Sequence, residues 1–316
     1  MSQHPVVLVF PGQGVQRPGM GKDFFDASAK SRLVFEEASD ALGWDVAAVC
    51  FGGADKLRLT EFAQPCILAT EIAMHREVAA RADLPGDFFA GHSLGEYTAL
   101  VAAGALPLAA AAVIVHRRGA LMQRACPVGQ GGMVAVLGQS LPVPDIQRVL
   151  SDLPVEVANI NTPHQVVLSG LLSAMDEARE RTAAVVGPEK PPRFVPLDVS
   201  APFHSRHMSV AQEEFAEVLS AHAGLFDPER AVRVCANVTG GFHTASREEV
   251  ISALVRQFDS AVLWADNMRA ISLVDGRVFE IGPGRPLSGF FRAVGMPCES
   301  VTRHSQVENL LPERVL

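Results

Sequence analysis

The segment Gly91-His-Ser-Leu-Gly95 places a serine between two glycines, at the end of an apolar run and the start of a helix-prone one. This is the G-x-S-x-G pattern of a nucleophile elbow, a sharp strand-to-helix turn that exposes the serine oxygen. The glycines are needed because neighbouring side chains would collide at so tight a bend. The N-terminus of the following helix favours the negative charge that develops there. The pattern therefore predicts that Ser93 is a nucleophile.

A serine nucleophile needs a base, and His204 is the best placed of the ten histidines. It follows a strand that leaves a predicted small subdomain, so we expect it at a domain junction, where clefts form. In isolation, a histidine packed in a loop would be the commoner explanation. His92 is a poor candidate because the side chains of adjacent residues diverge. His207 and His204 have the spacing of an H-x-x-H metal pair, but no third ligand has convincing spacing, so no metal site is predicted.

Attack on a carbonyl also needs donors for the oxyanion that forms. The glycine turn around Gln13 can bring a main-chain N–H beside the elbow, and the amide of Leu94 would supply the second donor. A plain bend at the end of a strand is the alternative for this turn. A phosphate cradle is disfavoured because the turn lacks the Lys-Ser/Thr pair of a P-loop and the third glycine of a dinucleotide loop.

Two adjacent arginines, Arg117 and Arg118, lie on the second predicted helix after the elbow. An arginine there could form a bidentate pair with a substrate carboxylate. Neighbouring side chains on a helix point about 100° apart, so at most one of the two is expected to face a cleft. A solvated helix face is the ordinary alternative for both.

The elements that must position these residues alternate along the first part of the chain. The apolar run Val6–Phe10 stops at a glycine turn, as a buried parallel strand would. Helices are predicted over about 26–49 and 65–82, then a short strand ending at Ala90, then helices over about 94–104 and 108–125. This alternation predicts the α/β class, with a mainly parallel sheet and helices on both faces, in a large α/β-hydrolase-like domain.

The pattern changes near Pro127. Strands are predicted over 132–137, 155–160, 165–168 and 194–199, with helices over 144–153 and 173–185. The order β-α-β-β-α-β is that of a ferredoxin-like α+β subdomain. We therefore expect a large catalytic domain over 1–126 and 200–316, with the subdomain inserted over 127–199. The resumed part carries predicted helices over 209–223 and 247–257 and a strand over 277–281.

Composition narrows the function classes. The 316 residues are 48% hydrophobic and 20% charged, as in a compact globular enzyme, and the net charge of −8 argues against a nucleic-acid partner. The five cysteines are scattered without a C-x-x-C pair, which predicts a reducing cytoplasm rather than a disulfide framework or zinc site. No basic region precedes the first apolar run, so no secretory signal is expected.

One uncharged stretch, residues 97–115, is long enough to raise the question of a membrane span. It is mostly alanine, and Gly104 and Pro107 divide it into two short pieces. Two buried helices joined by a turn are therefore expected, and no membrane partner.

Seven motifs in order along nearly the whole chain resemble the malonyl-CoA:acyl carrier protein transacylase family, which includes the acyltransferase domains of polyketide synthases. They are Phe10-Pro-Gly-Gln-Gly14, Gln64-Pro65, Gly91-His-Ser-Leu-Gly-Glu96, Arg118-Gly-Ala-Leu-Met-Gln123, Ala158-Asn-Ile-Asn-Thr-Pro-His-Gln-Val-Val-Leu-Ser-Gly170, Val199-Ser-Ala-Pro-Phe-His-Ser205 and Glu280-Ile-Gly-Pro-Gly284. So many motifs in the right order make the resemblance specific.

The resemblance implies that Ser93 takes a malonyl group from coenzyme A and that His204 is the general base and acid. It implies that Arg118, which directly precedes a glycine as the family's arginine does, pairs with the malonyl carboxylate. Malonyl-CoA is then a substrate, and no cofactor is expected. The partner would be an acyl carrier protein with a phosphopantetheine thiol, and the protein is expected to be a monomer.

Further roles follow from the same resemblance. Gln13 and Leu94 would supply the oxyanion-hole amides, and Gln64 would line the acyl pocket. Phe203, directly before the histidine, resembles the malonyl-selecting type, since a large ring leaves little room for the methyl branch of methylmalonyl. Carriers in this family are acidic, so a small basic patch is expected near the cleft. The candidates for it are Arg206, Arg285 and Arg292.

The segment Ser260-Ala-Val-Leu-Trp264 departs from the family, which often has a polar residue in place of Leu263. The family orients its histidine with a main-chain carbonyl, and we expect the carbonyl of Leu263 to do so here. Alternatives to the transacylase are a free-standing polyketide-type acyltransferase, an editing hydrolase that removes acyl groups from a carrier, and an inactive binding subunit. An esterase would need an acidic residue between serine and histidine, and Asp198 lacks a matching motif.

Overall fold

The computed structural model describes residues 4–199 and 201–310. The predicted ends of the large domain at residues 1 and 316, and its predicted restart at residue 200, lie outside the described residues. Two sheets organise the described part, one in each of two lobes.

The large lobe is built on a parallel sheet in the order β2-β1-β7-β8. Its strands are β1 (Val6–Phe10), β2 (Phe88–Gly91), β7 (Arg277–Ile281) and β8 (Glu299–Val301). Leu8 and Phe10 of β1 belong to the main core, whereas Val7 and Val9 pack into a second cluster on the opposite face. Both faces of the sheet are therefore covered, which explains why the strand is apolar throughout.

Helices cover both faces. The helices before the small lobe are α1 (Lys22–Ala27), α2 (Ala29–Leu42), α3 (Val46–Gly52), α4 (Ala54–Leu57), α5 (Thr60–Ala82), α6 (Leu94–Ala102) and α7 (Leu108–Ala125). Those of the small lobe are α8 (Val143–Leu150) and α9 (Leu172–Val186). Those that follow are α10 (Gln212–Ala221), α11 (Pro228–Ala231), α12 (Arg247–Gln257), α13 (Trp264–Ser272) and α14 (Pro286–Ala293), with 3-10 turns at Arg206–Ala211, Ala223–Leu225, His304–Gln306 and Glu308–Leu310.

The long helix α5 begins at Thr60, five residues before the predicted start at Pro65. A proline inside a helix has no N–H to donate to the carbonyl four residues earlier. That carbonyl, of Glu61, instead lies 2.8 Å from Nδ1 of His116 on α7. The contact between α5 and α7 thus replaces the missing hydrogen bond. Because it joins distant segments, the local sequence does not indicate it.

The small lobe holds an antiparallel sheet in the order β4-β5-β3-β6. Its strands are β3 (Gly131–Leu137), β4 (Val155–Thr162), β5 (Gln165–Leu171) and β6 (Arg193–Pro196). This order, with α8 after β3 and α9 after β5, is ferredoxin-like, and the predicted α/β class with a ferredoxin-like subdomain is confirmed. Ile146 and Leu150 of α8 and Met175 of α9 pack with the sheet in a separate apolar cluster.

The two lobes are joined beside the elbow by main-chain hydrogen bonds. Ile160 N of β4 donates to the carbonyl of Val262 at 2.9 Å, and Val262 N donates to the carbonyl of Ala158 at 2.9 Å. The edge strand of the small lobe is thereby tied to the large lobe. A cleft lies along this junction.

Residues 97–115 form the end of α6, a turn and the start of α7, as expected; Gly104 in the turn has φ 73°. No helix in the part of the chain that the structure describes has the length and apolarity needed to cross a membrane.

Candidate active site

Ser93 lies at the junction of β2 and α6 with φ 54° and ψ −104°. A Cβ atom on Gly91 would lie 1.9 Å from the main chain of Gly95, and one on Gly95 would lie 2.2 Å from the carbonyl oxygen of Phe10. Neither position has room for a side chain. The glycines therefore allow the tight turn that the sequence predicts, and the turn presents the Ser93 side chain to the cleft.

His204 meets this serine from the segment that returns from the small lobe. Its Nε2 lies 2.7 Å from Ser93 Oγ, and its Nδ1 lies 2.9 Å from the main-chain carbonyl oxygen of Gln257. A carbonyl only accepts, so Nδ1 carries the hydrogen and Nε2 is free to accept from the serine hydroxyl. Burial, helped by the positive charge of Arg118, lowers the pKa of His204 to about 3. The imidazole is therefore neutral at pH 7 and suited to accept a proton.

The expectation that Leu263 orients this histidine is wrong. The carbonyl of Leu263 accepts from the N–H of Asn267 at 3.0 Å, in the first turn of α13. Because α13 begins at Trp264, that carbonyl is committed to the helix. The orienting carbonyl belongs to Gln257, the last residue of α12.

Arg118 is 1% exposed, and its guanidinium faces the serine. Nη2 lies 3.1 Å from Ser93 Oγ and 2.9 Å from Gln257 Oε1, and Nη1 lies 2.9 Å from Gln64 Oε1. Its Nε has no hydrogen-bond partner, and no carboxylate of the described residues lies within ion-pair distance of the guanidinium. Arg117 is exposed on the other side of α7, as the helical spacing requires.

The predicted oxyanion donors lie at the same place. Gln13 lines the cavity that contains Ser93, and its side-chain Nε2 donates to Thr60 Oγ1 at 3.2 Å. Leu94 is the first residue of α6, so its N–H has no acceptor within the helix. The amide of Ser93 itself is occupied, since it donates to Asn237 Oδ1 at 2.7 Å.

These groups surround one cavity of about 610 Å³ between the two lobes. Gln64, Met122 and Arg118 line it from the large lobe, and Phe203 and His204 from the returning segment. The small lobe contributes further side chains, among them Met133, Asn159, Asn161 and Val167. Six of the seven predicted catalytic, oxyanion-hole and substrate-binding residues therefore line this cavity, and the seventh, Leu94, directly follows Ser93.

The other two histidines considered have separate partners. His92 Nε2 lies 2.9 Å from Asn161 Oδ1 of the small lobe, and burial lowers the pKa of His92. His207 Nε2 lies 3.1 Å from the carbonyl of Pro154. Within residues 4–199 and 201–310, no group of three or more His, Cys, Asp or Glu side chains is placed to hold a metal ion.

Comparison with known proteins agrees with this geometry. The model of a family described as "Acyl transferase domain" matches residues 7–279. This chain belongs to the acyl transferase family. The Bacillus subtilis malonyl CoA-acyl carrier protein transacylase is 36% identical over 303 residues, which cover 94% of this chain and 92% of that protein.

Solved structures of acyl transferases superpose closely on this one. The malonyl CoA-acyl carrier protein transacylase from Clostridium perfringens has a TM-score of 0.85 at 33% identity, covering 96% of this chain and 95% of that one. A malonyl-transacylase in complex with a type II polyketide synthase acyl-carrier protein has a TM-score of 0.86 at 33% identity, covering 97% and 99%.

Two residues of this acyl transferase site were missed by sequence reasoning. Gln257 contacts His204 through its carbonyl and Arg118 through its side chain, and Asn237 holds the amide of Ser93. Both are fully buried. In the sequence, Gln257 is one more polar residue at the end of an amphipathic helix, and Asn237 lies in a turn, so no local signal marks either.

Proposed function

We propose that this acyltransferase moves a malonyl group from coenzyme A to the phosphopantetheine thiol of an acyl carrier protein through a malonyl-Ser93 ester. The observation that carries the proposal is Arg118, a buried guanidinium without a carboxylate partner in the described residues, 3.1 Å from the nucleophile oxygen. An acyl group that ends in a carboxylate would supply a direct ionic partner.

In the first half-reaction, Ser93 Oγ gives its proton to His204 Nε2 and attacks the thioester carbonyl carbon. The C–S bond then breaks, and the imidazolium returns the proton to the coenzyme A thiolate. In the second half-reaction, the carrier thiol gives its proton to His204 and attacks the ester carbon. Ser93 Oγ leaves and regains the proton. The 2.7 Å contact between Oγ and Nε2 supports both transfers.

Arg118 would hold the malonyl carboxylate. Its terminal nitrogens contact Gln64, Ser93 and Gln257, with Nη2 shared between the last two, and the contact with Ser93 Oγ places Nη2 at the reacting end of the cavity. A carboxylate can accept two parallel hydrogen bonds from such a guanidinium. Because the group is buried, the attraction is only weakly screened by water. An editing hydrolase for uncharged acyl groups would have no use for this cation.

The main-chain amides of Gln13 and Leu94 would stabilise the oxyanion. The first lies in the turn after β1 and the second begins α6, so both are fixed by the main chain. Donors that are already oriented need no reorganisation as charge develops. Phe203 and Gln64 would bound the acyl group itself.

The two lobes would shelter the ester from water until the carrier arrives. We propose that residues 127–199 form the inserted unit and that 1–126 and 200–316 form the catalytic one. The separate apolar cluster of β3, β4, β5, α8 and α9 supports this division. Exclusion of water matters because water competes with the carrier thiol for the ester.

The test is to incubate the protein with malonyl-, methylmalonyl- or acetyl-CoA and to measure the mass of the intact protein by mass spectrometry. We expect a malonyl adduct that Ser93→Ala abolishes. Arg118→Ala should lose malonyl loading by roughly a hundredfold, as expected for a buried charge-assisted pair, and retain acetyl loading. Arg117→Ala, on the exposed side of the same helix, is the matched control and should load malonyl as the wild type does.

Transfer is then followed by adding a phosphopantetheinylated acyl carrier protein to the loaded enzyme. Appearance of the malonyl mass on the carrier is expected. Equal malonyl loading by Arg118→Ala would overturn the role of the arginine. Release of free malonate without carrier acylation would instead indicate a hydrolase.

A further inference from the structure

A buried carboxylate and histidine lie behind the active site, outside the cavity. Glu96 is on α6, three residues after Ser93, and His243 follows a short antiparallel bridge between Cys235 and Phe242. Their relative exposures are 0% and 6%, and His243 Nε2 lies 2.9 Å from Glu96 Oε1. A carboxylate only accepts, so Nε2 carries the hydrogen. Ionic groups are rarely buried this deeply unless they are paired.

The other oxygen of Glu96 points toward the active site. Oε2 accepts from the main-chain N–H of Asn237 at 3.0 Å and from Nε2 of Gln257 at 2.7 Å. Both of these bonds hold the same oxygen. The bond from His243 holds the other oxygen, Oε1, and completes the orientation of the carboxylate.

The partners of Gln257 settle which way its amide points. Glu96 only accepts and Arg118 only donates, so Nε2 must face the carboxylate and Oε1 the guanidinium. Oε1 accepts from Arg118 Nη2 at 2.9 Å, and Nε2 also lies 3.0 Å from the carbonyl oxygen of Ser93. A continuous series of hydrogen bonds therefore runs from His243 through Glu96 and Gln257 to Arg118.

We propose that His243 is a positioning residue of the transferase, which acts through Glu96 and Gln257 to hold the Arg118 guanidinium where it receives the substrate carboxylate. The inference rests on the proposed function, because it assigns the series a purpose only if Arg118 binds malonyl. His243 does not touch the cavity. Its main chain is fixed independently, since its N–H donates to the carbonyl of Val234 at 2.9 Å.

The series has a selective consequence. Loss of the His243 donor loosens the Glu96 carboxylate, and the Gln257 side chain then keeps only the Ser93 carbonyl as a fixed acceptor. Arg118 is held less well, so malonyl binding weakens. His204 is held by the main-chain carbonyl of Gln257, not by its side chain, so proton transfer is spared. A merely structural role of His243 would instead lower all acyl loading together.

The experiment compares His243→Leu, which fills the space without a donor, with His243→Gln, whose amide nitrogen can stand in for Nε2. Initial rates of enzyme acylation give KM and kcat for malonyl-CoA and acetyl-CoA. For His243→Leu we expect a KM for malonyl-CoA raised roughly tenfold, with acetyl-CoA within about twofold of wild type. His243→Gln should restore most of the malonyl KM.

His75→Leu is the matched control. His75 is also buried and also makes one ring hydrogen bond, to the carbonyl of Pro85 at 3.1 Å. It is not part of the series, so its loss should lower the thermal midpoint without changing the malonyl-to-acetyl ratio. Should His243→Leu not fold, His243→Met also fills the space without a donor, with the same selective rise in malonyl KM expected.

Three results would overturn the inference: an unchanged malonyl KM in His243→Leu, equal losses with both thioesters, or no recovery in His243→Gln. Wild type and Arg118→Ala are measured alongside. If wild type forms no malonyl ester, the proposed function fails. If wild type loads malonyl and Arg118→Ala does not, while His243→Leu behaves as wild type, only the inference fails.

Discussion

Ser93 Oγ and His204 Nε2 lie 2.7 Å apart, and both residues have a left-handed main chain, with φ 54° and 58°. Left-handed conformations are costly for residues with a Cβ, by about 1–3 kcal/mol each. Two such residues therefore face each other across the cleft. The surrounding glycine contacts and the buried core hold them in place.

The strained main chain at Ser93 predicts that replacing this residue by glycine gives a more stable protein than replacing it by alanine, the reverse of the usual order. Ser93→Gly removes the Cβ and Ser93→Ala keeps it, so Ser93→Gly should be the more stable by about 1 kcal/mol. At an ordinary position, glycine is the less stable of the pair. Urea unfolding of both variants measures the difference. A less stable Ser93→Gly would mean that the surrounding contacts, rather than the turn, determine the cost.

A second prediction concerns the crossing of α5 and α7. A Cβ atom on Gly119 would lie 2.5 Å from the main-chain oxygen of Thr60. Gly119→Ala must therefore push the helices apart, which we expect to lower the free energy of unfolding by about 1–3 kcal/mol. Arg118 is the adjacent residue, so malonyl loading should fall more than acetyl loading.

The control for this variant is Ala120→Gly, one residue further along α7. It removes a Cβ atom instead of adding one and leaves the crossing at Gly119 unchanged. Its cost should be the roughly 1 kcal/mol of helix propensity, with the malonyl-to-acetyl ratio unchanged. A ratio unaffected in Gly119→Ala would show that Arg118 does not depend on the helix crossing.

The site could be predicted from sequence where a short segment determines its own geometry. The role of Ser93 can be predicted because its tight turn needs a glycine two residues to either side. The free N–H of Leu94 can be predicted because Leu94 begins a helix. Arg118 needed the helical spacing to be chosen over Arg117. In the fold, the alternation of strands and helices was enough to find both sheets.

What was missed depends on contacts between distant segments. The carbonyl that holds His204 belongs to Gln257. The sequence points to Leu263 instead only if α13 is overlooked, because that helix begins at Trp264 and uses the Leu263 carbonyl. A signal for α13 was present, since Trp264, Met268 and Ile271 have helical spacing and are buried. No such signal exists for Gln257.

We expect Phe203 to influence the choice of acyl group. It is 7% exposed and lines the cavity, and its carbonyl is fixed by a 2.7 Å hydrogen bond from Ser169 Oγ. Phe203→Ser should therefore enlarge the pocket without moving the main chain before His204. We expect methylmalonyl loading to rise relative to malonyl by roughly tenfold, the worth of one methyl group. Competition between the two thioesters, read by mass, measures it, and an unchanged ratio would place the selection elsewhere in the cavity.

The pKa of His204 predicts how stability depends on pH. Burial and the charge of Arg118 lower it from 6.5 to about 3. The unfolded chain thus binds a proton at His204 below about pH 6.5, whereas the folded protein does not until near pH 3. Unfolding takes up a proton between these two pH values, so the free energy of unfolding falls as pH falls through this window and does not fall above it.

His204→Gln removes this proton uptake. Between pH 7 and 4.5, its free energy of unfolding should therefore fall by about 2 kcal/mol less than that of wild type. Urea unfolding of wild type and His204→Gln at the two pH values measures the difference. His75 and His92, whose pKa values burial also lowers, are present in every variant and cancel. Equal losses in wild type and His204→Gln would mean that folding does not lower the pKa of His204, contrary to the burial of its imidazole.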